Sequence, residues 1–378
     1  MTAVQPQSFS AEHMALAIRL ARQGWYTTRP NPRVGCVLVC AGEVVGQGAH
    51  LKAGEPHAEI HALRQAGELA RGADAYVTLE PCSHYGRTPP CADALIEAGV
   101  KRVCVAQLDS NPQVAGRGLQ KLRDAGLYVE QGLLEADARE LNPGFFRRMS
   151  QGLPRVTIKL AMSLDGRTAM ASGESQWITG AEARQDVQHL RAASCAIITG
   201  ADSVISDNSR LTVREPSLTD LYGFTQPLRV ITDSQLRVAT TAAIFKQPGS
   251  TLLVTREATA LAQPEKILAL QQAGAEVLLQ AGETHPLDLL QLLQTLAQRG
   301  CNEVLVEAGA QLAGAFLQTG LVQELRLYMA PLLLGDAARG LLHLPGLDQL
   351  VDAPRLTVRD IRAVGQDWRF IIEPQGLS

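Results

Sequence analysis

The chain has 378 residues, 46% of them hydrophobic, and a formal net charge of −3 at pH 7. This length indicates two domains of ordinary size rather than one, and no apolar run approaches the length of a membrane span. Because a nucleic-acid-binding protein usually carries a strong basic excess, the charge favours a small-molecule partner over a nucleic acid.

The cysteines and the first residues indicate a cellular compartment. Seven cysteines are an odd number, which argues against a framework of disulfide bonds. Residues 1–10 are polar and lack the charged-then-apolar layout of a signal peptide. We therefore expect reduced thiols and a cytoplasmic location.

The first half of the chain alternates between helix and strand patterns. Ser10 is predicted to cap a helix over 11–23 that ends at Gly24, and strands 34–39 and 43–48 form a hairpin. Further helices are predicted over 57–70, 91–98 and 117–125, and strands over 75–79, 102–106 and 128–130. This alternation indicates a largely parallel sheet covered by helices. The periodicity is interrupted at 142–153, so we place the first domain at 1–148 and the second at 154–378.

The second half begins with an alternating strand that runs into a turn at Asp165-Gly166. Thr179 and Glu182 have the spacing of a capping box and are predicted to open a helix that extends to about residue 193. Strands follow over 196–199, 228–232, 251–255, 276–279 and 303–307, with a helix over 286–298. The pattern predicts a second doubly wound α/β domain.

Three residues between positions 57 and 91 are of types that bind zinc. His57 and Glu59 form an H-x-E motif, and Cys82 and Cys91 each follow a proline. One histidine and two cysteines leave the fourth zinc position open for water, as in catalytic sites. The metal activates that water, and a carboxylate such as Glu59 can take up and deliver a proton. This combination is the signature of the zinc nucleobase deaminases.

The flanking prolines predict where these ligands lie. Pro56 and Pro90 stand at the openings of helical patterns, so His57 and Cys91 are expected in the first turns of two helices. The positive ends of both helices would then face one metal ion and favour thiolate over thiol.

This segment is also compatible with other kinds of site. A structural zinc site needs a fourth protein ligand, which His61 or His84 could supply, but it has no use for Glu59. His57 and His61 have the spacing of a metalloprotease helix, but Ala58 stands where that motif requires glutamate. We expect His61 to pack on the helix face near the site. A non-catalytic, zinc-stabilised scaffold or regulator is a rival interpretation.

Three segments of the first half resemble a known family. They are residues 31–35, 57–59 and 80–91, the last with eight residues between its cysteines, unlike the two-residue gap of cytidine and tRNA-adenosine deaminases. Together they resemble the deaminase half of the bifunctional riboflavin-biosynthesis deaminase/reductases. The resemblance implies a cytidine-deaminase-like αβα domain in which His57, Cys82 and Cys91 bind Zn²⁺. It also implies that Glu59 is the proton donor and that Asn31 contacts the pyrimidine edge.

A glycine-containing turn follows the predicted strand 303–307. Residues 308–315 read AGAQLAGA, and a glycine between strand and helix lets backbone N–H groups approach a phosphate. Without a G-x-G-x-x-G motif, the segment is also consistent with a simple turn. The residues alone leave nucleotide binding open.

Segments 159–167, 175–179 and 211–214 resemble the reductase half of the same bifunctional family. The resemblance implies a dihydrofolate-reductase-like α/β domain that uses NADPH. The residues that would line the cofactor are Ala161, Trp177, Ser203, Asp207, Ser234, Gly309, Ala310, Gln311, Leu312, Ala313, Gly314 and Ala315. Those that would line the substrate are Ser175, Arg191, Leu211, Arg214 and Glu307, where an arginine fork suits a phosphate.

Several of these residues have simpler interpretations. Without the resemblance, Arg191 is expected on a solvated helix face and Trp177 in the core. Lys159 is a possible acid in the reduction. Tyr85 departs from a histidine common in relatives and is expected to tune the substrate pocket. Asn208-Ser209 replaces a common Asp-Pro, which leaves the local loop shape open.

The resemblance implies two successive steps of riboflavin biosynthesis in the cytoplasm, by a chain that is expected to form a homo-oligomer. The first domain would deaminate 2,5-diamino-6-(5-phosphoribosylamino)pyrimidin-4(3H)-one, and the second would reduce the ribosyl group of 5-amino-6-(5-phosphoribosylamino)uracil to ribityl. A zinc deaminase of another base or nucleoside, with an inactive reductase-like domain, is the alternative.

Overall fold

Nearly continuous apolar runs form the central strands of two units. The computed structural model describes residues 8–83, 89–111, 115–282 and 286–375. The chain divides into the units Met1–Gly152 and Leu153–Ser378. The division falls in the segment 142–153, but that segment is not irregular. Pro143 opens a helix that continues to Gln151, and Gly152 ends it with a φ of 68°.

The elements of the first unit follow the predicted order closely. Its strands are β1 (Gly35–Cys40), β2 (Glu43–Ala49), β3 (Asp74–Leu79), β4 (Arg102–Gln107) and β5 (Tyr128–Gln131). Its helices are α1 (Ala11–Ala21), α2 (Ala58–Ala66), α3 (Cys91–Glu97), α4 (Arg117–Asp124), α5 (Glu135–Arg139) and α6 (Pro143–Gln151). Short 3₁₀ helices at Arg22–Gly24 and Gly67–Ala70 extend α1 and α2, where longer α-helices were predicted.

The sheet of the first unit is the middle layer of three. In the described residues its order is β2-β1-β3-β4-β5, with β3, β4 and β5 parallel and β1 antiparallel to both of its neighbours. Cys36 and Leu38 face a cluster that includes residues of α2, α3 and α4. Val37 and Val39 face the opposite cluster, which includes residues of α1 and α5. The period of two along β1 thus gives each face of the sheet its own helical layer.

The second unit has a longer series of strands. They are β6 (Arg155–Ser163), β7 (Arg167–Ala169), β8 (Ala196–Gly200), β9 (Leu228–Thr232), β10 (Thr251–Arg256), β11 (Ala275–Gln280), β12 (Glu303–Val306), β13 (Glu324–Ala330), β14 (Arg339–Gly340), β15 (Leu356–Val364) and β16 (Asp367–Pro374). The helices are α7 (Ala181–Ala193), α8 (Ala201–Asp207), α9 (Pro216–Thr219), α10 (Glu257–Ala262), α11 (Pro264–Gln272), α12 (Leu289–Gln298) and α13 (Ala310–Gln318), with 3₁₀ helices at Ala243–Lys246 and Leu350–Asp352.

The main sheet of this unit is mixed rather than wholly parallel. Its order in the described residues is β11-β10-β9-β8-β12-β6-β13-β16-β15. The first seven strands in this order pair in parallel, whereas β16 and β15 form an antiparallel hairpin at one edge. The predicted doubly wound arrangement therefore holds for the parallel part, and the strands after residue 320 extend it.

Of two predicted helix caps, the first is confirmed in position only and the second is wrong. Ser10 is the N-cap residue of α1, but its side chain makes no capping bond. The N-cap of α7 is Gly180 rather than Thr179, so the predicted capping box does not form. The Gly180 N–H instead donates to the Asp367 carboxylate at 2.7 Å, a partner 187 residues away. None of the helices in the described ranges combines the length and the apolar character needed to cross a membrane.

Candidate active sites

The three predicted zinc ligands converge in the first unit. His57 is the N-cap residue of α2, Cys91 is the first residue of α3, and Cys82 follows β3. Pro90 is the N-cap residue of α3 and Pro56 precedes the N-cap of α2, so both prolines lie just outside the helices and His57 lies at the helix end rather than in the first turn that was predicted. The ligand atoms of His57, Cys82 and Cys91 all lie within 4.8 Å of one another. A histidine nitrogen and two cysteine sulfurs at this separation fit a tetrahedral zinc ion with one further position.

The sulfur atoms already interact with one another and with the imidazole. The Cys91 N–H donates to Cys82 Sγ at 3.3 Å, and the Ala92 N–H donates to the Cys82 carbonyl at 3.2 Å. His57 Nδ1 lies 3.3 Å from Cys91 Sγ and 3.7 Å from Cys82 Sγ. The hydrogen bond from the Cys91 thiol lowers the pKa of Cys82, against the effect of burial, and the pKa of Cys91 is correspondingly raised. One thiolate is therefore favoured before any metal binds.

Glu59 lies in the first turn of α2 beside these ligands. Its side chain is 3% exposed, and its Oε2 has no hydrogen-bond partner in the described part of the chain. Burial raises the pKa of Glu59 to about 7. A buried polar atom without a partner is costly, and such atoms concentrate where a ligand completes the site.

Asn31 reaches the same site through a histidine that the sequence analysis missed. Asn31 Nδ2 lies 3.1 Å from His50 Nε2, and His50 Nδ1 lies 3.1 Å from the Pro56 carbonyl. The His50 and His57 rings are 5.1 Å apart in an edge-on arrangement. His50 follows β2 and belongs to no recognisable motif. Its position in the site depends on the pairing of β2 with β1, which local sequence patterns do not reveal.

The loop that carries Asn31 is held by a residue far along the chain. Asn142 is buried, its Oδ1 accepts from the Arg33 N–H at 2.7 Å, and its Nδ2 donates to the Arg33 carbonyl at 2.9 Å. The Arg33 guanidinium donates to the Leu141 and Trp25 carbonyls. These contacts fix the backbone two residues beyond Asn31.

A cleft of 1790 Å³ opens in the second unit at the carboxyl ends of the parallel strands. This exceeds the 300–1,000 Å³ typical of a pocket for one small ligand, so it has room for a dinucleotide and a second molecule. The loops after β8 and β12 face each other in it, since a Cβ on Gly309 would lie 3.9 Å from Ser203 Oγ. The chain winds outward from β8 to β11 and returns at β12, and such a reversal of strand order is where α/β sheets bind ligands.

Most residues predicted for the cofactor and the reductase substrate line this cleft. They are Ala161, Ser175, Trp177, Arg191, Ser203, Asp207, Leu211, Arg214, Ser234, Glu307, Gly309, Ala310, Gln311, Leu312 and Ala315. Ala313 and Gly314 do not. Ala313 is fully buried in the core, and a Cβ on Gly314 would lie 2.0 Å from the His343 carbonyl oxygen. Both face the interior of the unit because they occupy the inner side of α13.

Arg191 and Glu307 form a bidentate ion pair in the cleft. Arg191 Nε and Nη2 donate to the two Glu307 oxygens at 2.6 and 2.8 Å, and Nη1 donates to the Thr212 carbonyl at 3.1 Å. Their side chains are 13% and 9% exposed, so Arg191 is not on a solvated helix face. Burial alone would raise the pKa of Glu307, but Arg191, with Lys159 and Arg214, holds it below its usual range. Burial also lowers the pKa of Lys159.

Two other features correct or complete the sequence analysis. Trp177 is 68% exposed at the cleft, not in the core, and the Arg184 guanidinium stacks 4.8 Å from its ring centroid. The Asn208-Ser209 turn takes a definite shape, since Asn208 has a φ of 46° and its Oδ1 accepts from the Ala243 N–H. Tyr85 and His84, for which roles were weighed, lie outside the described residues.

Family models match segments of both units. The model of the RibD C-terminal domain matches residues 154–370, and that of the cytidine and deoxycytidylate deaminase zinc-binding region matches residues 7–107. The riboflavin biosynthesis protein RibD of Escherichia coli K12 is 53% identical over 94% of this chain and 96% of its own length. The chain belongs to the RibD family. RibD of Bacillus amyloliquefaciens is 43% identical over 96% of each chain.

Solved structures of RibD proteins share the whole architecture. A form of RibD from Acinetobacter baumannii is 49% identical, with a TM-score of 0.89 over 97% of this chain and 98% of its own. A deaminase/reductase from Thermotoga maritima is 29% identical, with a TM-score of 0.82 over 96% and 98%. The predictions of the family, of the two-part fold, and of a zinc- and NADPH-using deaminase/reductase of riboflavin biosynthesis are therefore confirmed.

Proposed function

We propose that the first unit deaminates the diaminohydroxyphosphoribosylaminopyrimidine and that the second reduces 5-amino-6-(5-phosphoribosylamino)uracil. These are the activities named for the Thermotoga maritima protein. The observation that carries the proposal is the convergence of His57, Cys82 and Cys91 beside Glu59, whose buried Oε2 has no hydrogen-bond partner among the described residues. A structural metal site would use a fourth protein ligand and would have no need of this carboxylate.

Each residue of the deaminase site has a proposed role. His57, Cys82 and Cys91 hold the zinc ion, which supplies a water activated for attack on the amino-bearing ring carbon. Glu59 takes a proton from the nucleophile and delivers it to the departing ammonia, because it closely follows His57 at the start of α2 and is shielded from solvent. Asn31, oriented by His50, contacts the pyrimidine edge.

In the second unit, NADPH supplies the hydride that reduces the ribosyl group to ribityl. We propose that Ala161, Trp177, Ser203, Asp207, Ser234 and the 309–315 loop hold the cofactor, with Ala313 and Gly314 acting through the shape of α13. Ser175, Arg191, Leu211, Arg214 and Glu307 surround the substrate. Because three nitrogens of Arg191 already donate to Glu307 and Thr212, Arg214 is the better donor to the substrate phosphate.

The assembly and compartment are also proposals. None of the seven cysteines forms a disulfide bond in the part of the chain that the structure describes, which supports a reducing compartment such as the cytoplasm. Strand β15 ends the main sheet and exposes Val358 and Ile361, at 50% and 51%, beside Trp368 of β16. An exposed apolar edge strand is normally covered, so a homo-oligomer is supported. Sedimentation of the native chain against an Ile361→Glu variant tests this, and a monomeric native chain contradicts it.

The test of both activities follows ammonia release and NADPH oxidation together, with zinc-loaded protein and the diaminopyrimidine phosphoriboside. NADPH oxidation is expected to depend on prior deamination. Glu59→Gln should abolish ammonia release, keep one zinc per chain, and leave reduction of the separately supplied uracil intermediate unchanged. Arg214→Ala should raise the KM of reduction and leave deamination unchanged. Ammonia without NADPH oxidation would support the alternative of a deaminase with an inactive reductase-like unit.

A further inference from the structure

The segment that carries Arg214 has no regular secondary structure, yet side chains fix its backbone. Residues 208–215 connect α8 to α9 and include Leu211, which adopts a φ of 50° and buries its side chain. Arg214 follows on this segment, is exposed, and lines the cleft. A segment without helix or strand must satisfy its buried backbone groups through other partners. The partners of residues 212–214 therefore show what holds Arg214 in place.

Gln226 holds the residue before Arg214 with both ends of its side-chain amide. Its Oε1 accepts from the Val213 N–H at 2.9 Å, and its Nε2 donates to the Val213 carbonyl at 2.8 Å. This paired contact satisfies both backbone groups of a residue that is only 2% exposed. Because one planar amide makes both hydrogen bonds, it fixes the orientation of the backbone at Val213 as well as its position.

Helix α7 holds the residues on either side of Val213. The Thr212 carbonyl accepts from Arg191 Nη1 at 3.1 Å, and the Arg214 N–H donates to Gln188 Oε1 at 2.7 Å. Arg191 and Gln188 are three residues apart on α7, so they lie on the same side of that helix. Three consecutive residues are thus held by two parts of the chain, namely α7 and the glutamine that precedes β9.

Gln226 is itself supported by a turn that a buried arginine organises. A Cβ on Gly249 would lie 2.8 Å from Gln226 Cβ, so a larger residue in this turn would displace the glutamine. The Gly249 carbonyl accepts from Arg229 Nη2 at 2.8 Å, and the Pro248 carbonyl accepts from Arg229 Nη1 at 2.6 Å. Arg229 is 1% exposed, and a charge so deeply buried is tolerated only when it is hydrogen-bonded. The turn at residues 247–249 is therefore a firm support for Gln226.

We propose that Gln226 is a positioning residue for the reduction, and that it sets the backbone of Arg214 so that the guanidinium meets the substrate phosphate. The inference rests on the proposed reductase function, in which Arg214 binds that phosphate. Gln226 is not among the described residues that line the cleft, so it acts through Val213 and Arg214 and not by touching the substrate. A binding group that is held about 1 Å too loosely binds poorly, so a fixed backbone at Arg214 favours tight binding.

The test is a double-mutant cycle on the full chain, measured by steady-state reduction of 5-amino-6-(5-phosphoribosylamino)uracil at saturating NADPH. Gln226→Met keeps the length of the side chain and removes both hydrogen bonds to Val213. We expect the KM to rise about fivefold and kcat to change less than about twofold, because substrate and transition state lose the same phosphate contact. In an Arg214→Ala background the same substitution should leave the KM unchanged, since the contact that it supports is already gone.

Gln280→Met is the matched control. Gln280 holds the N–H and the carbonyl of Asp288 by the same kind of paired contact, at 2.9 and 2.8 Å, in the same unit. Its loss should leave the KM within about twofold of the native value in both backgrounds. Gln188→Met removes the acceptor of the Arg214 N–H and is a second variant that should behave like Gln226→Met. The Kd for NADPH should stay unchanged in Gln226→Met and Gln188→Met.

The possible failures give different results. A native KM in Gln226→Met, or an equal rise in KM in both backgrounds, overturns the positioning role and leaves the reductase function standing. A parallel loss of NADPH affinity in Gln226→Met also overturns it, because that result shows general damage to the unit. A native KM in Arg214→Ala removes the proposed phosphate ligand, and a native chain that does not oxidise NADPH with this substrate overturns the reductase function. In both of these cases the inference about Gln226 fails as well.

Discussion

Replacing Glu307 with glutamine should strongly destabilise the second unit. The Glu307 carboxylate accepts hydrogen bonds from Nε and Nη2 of Arg191, and the Glu307 and Arg191 side chains are 9% and 13% exposed. Glutamine keeps the shape but leaves Arg191, Lys159 and Arg214 without their shared negative partner. Removing one member of a buried pair costs about 3–5 kcal/mol. For a unit of this size, that corresponds to a fall in Tm of roughly 6–20 °C.

Differential scanning calorimetry of the full chain measures this effect. NADPH should raise the Tm of the transition that belongs to the second unit, which identifies it, and the other transition serves as an internal reference. Glu276→Gln is the control, because it breaks an exposed pair with Arg299 that is worth at most about 1 kcal/mol. A Tm shift of the NADPH-responsive transition no larger than that of the control would refute the reasoning.

The pH dependence gives an independent check on Glu307. Its pKa in the folded chain is held below the ordinary value of about 4.3. A depressed carboxyl pKa gives stability that is present above the unfolded pKa and lost as pH falls through the folded one. The Tm difference between the native chain and Glu307→Gln should therefore be full at pH 7 and shrink below about pH 4. A difference that persists undiminished at lower pH would contradict this account.

Three further substitutions test the two sites separately. Cys91→Ser should abolish stoichiometric zinc binding, measured by metal analysis, and should also abolish deamination. The Kd of the second unit for NADPH should stay unchanged. Retained zinc would exclude Cys91 as a ligand. Asn142→Ala should lower the Tm of the first unit and raise the deaminase KM. It removes the hydrogen-bond partners of the buried Arg33 N–H and carbonyl groups, which costs about 1–3 kcal/mol of folding free energy for each group. An unchanged KM would show that the Asn31 loop does not depend on this contact. Lys159→Met should lower the kcat of reduction about 100-fold and keep NADPH affinity, and unaltered kcat would remove Lys159 from the chemistry.

The grouping of the three candidate zinc ligands and most element boundaries were predictable because their signals are local. A proline before His57 and another before Cys91 mark helix openings, and the continuous apolar run of β1 marks a strand covered on both sides. The resemblance to a family supplied the assignment of the cleft residues, which the glycine turn at 309 alone left open.

The features that could not be predicted depend on contacts distant in sequence. Arg191 and Glu307 are 116 residues apart, and the identity of a lone arginine does not show whether it meets solvent or a carboxylate. Gly180 became the cap of α7 because Asp367, from the final hairpin, supplies the acceptor. His50 entered the site through the pairing of β1 with β2. In each case tertiary contacts override the local preference.

Cys82 has a structural role in addition to its role as a candidate zinc ligand. The Cys91 N–H donates to Cys82 Sγ and the Ala92 N–H donates to the Cys82 carbonyl, so Cys82 anchors the start of α3. Two of the three candidate ligands are therefore not independent of each other. Replacing the Cys82 side chain would remove one thiolate and also a contact that positions the other.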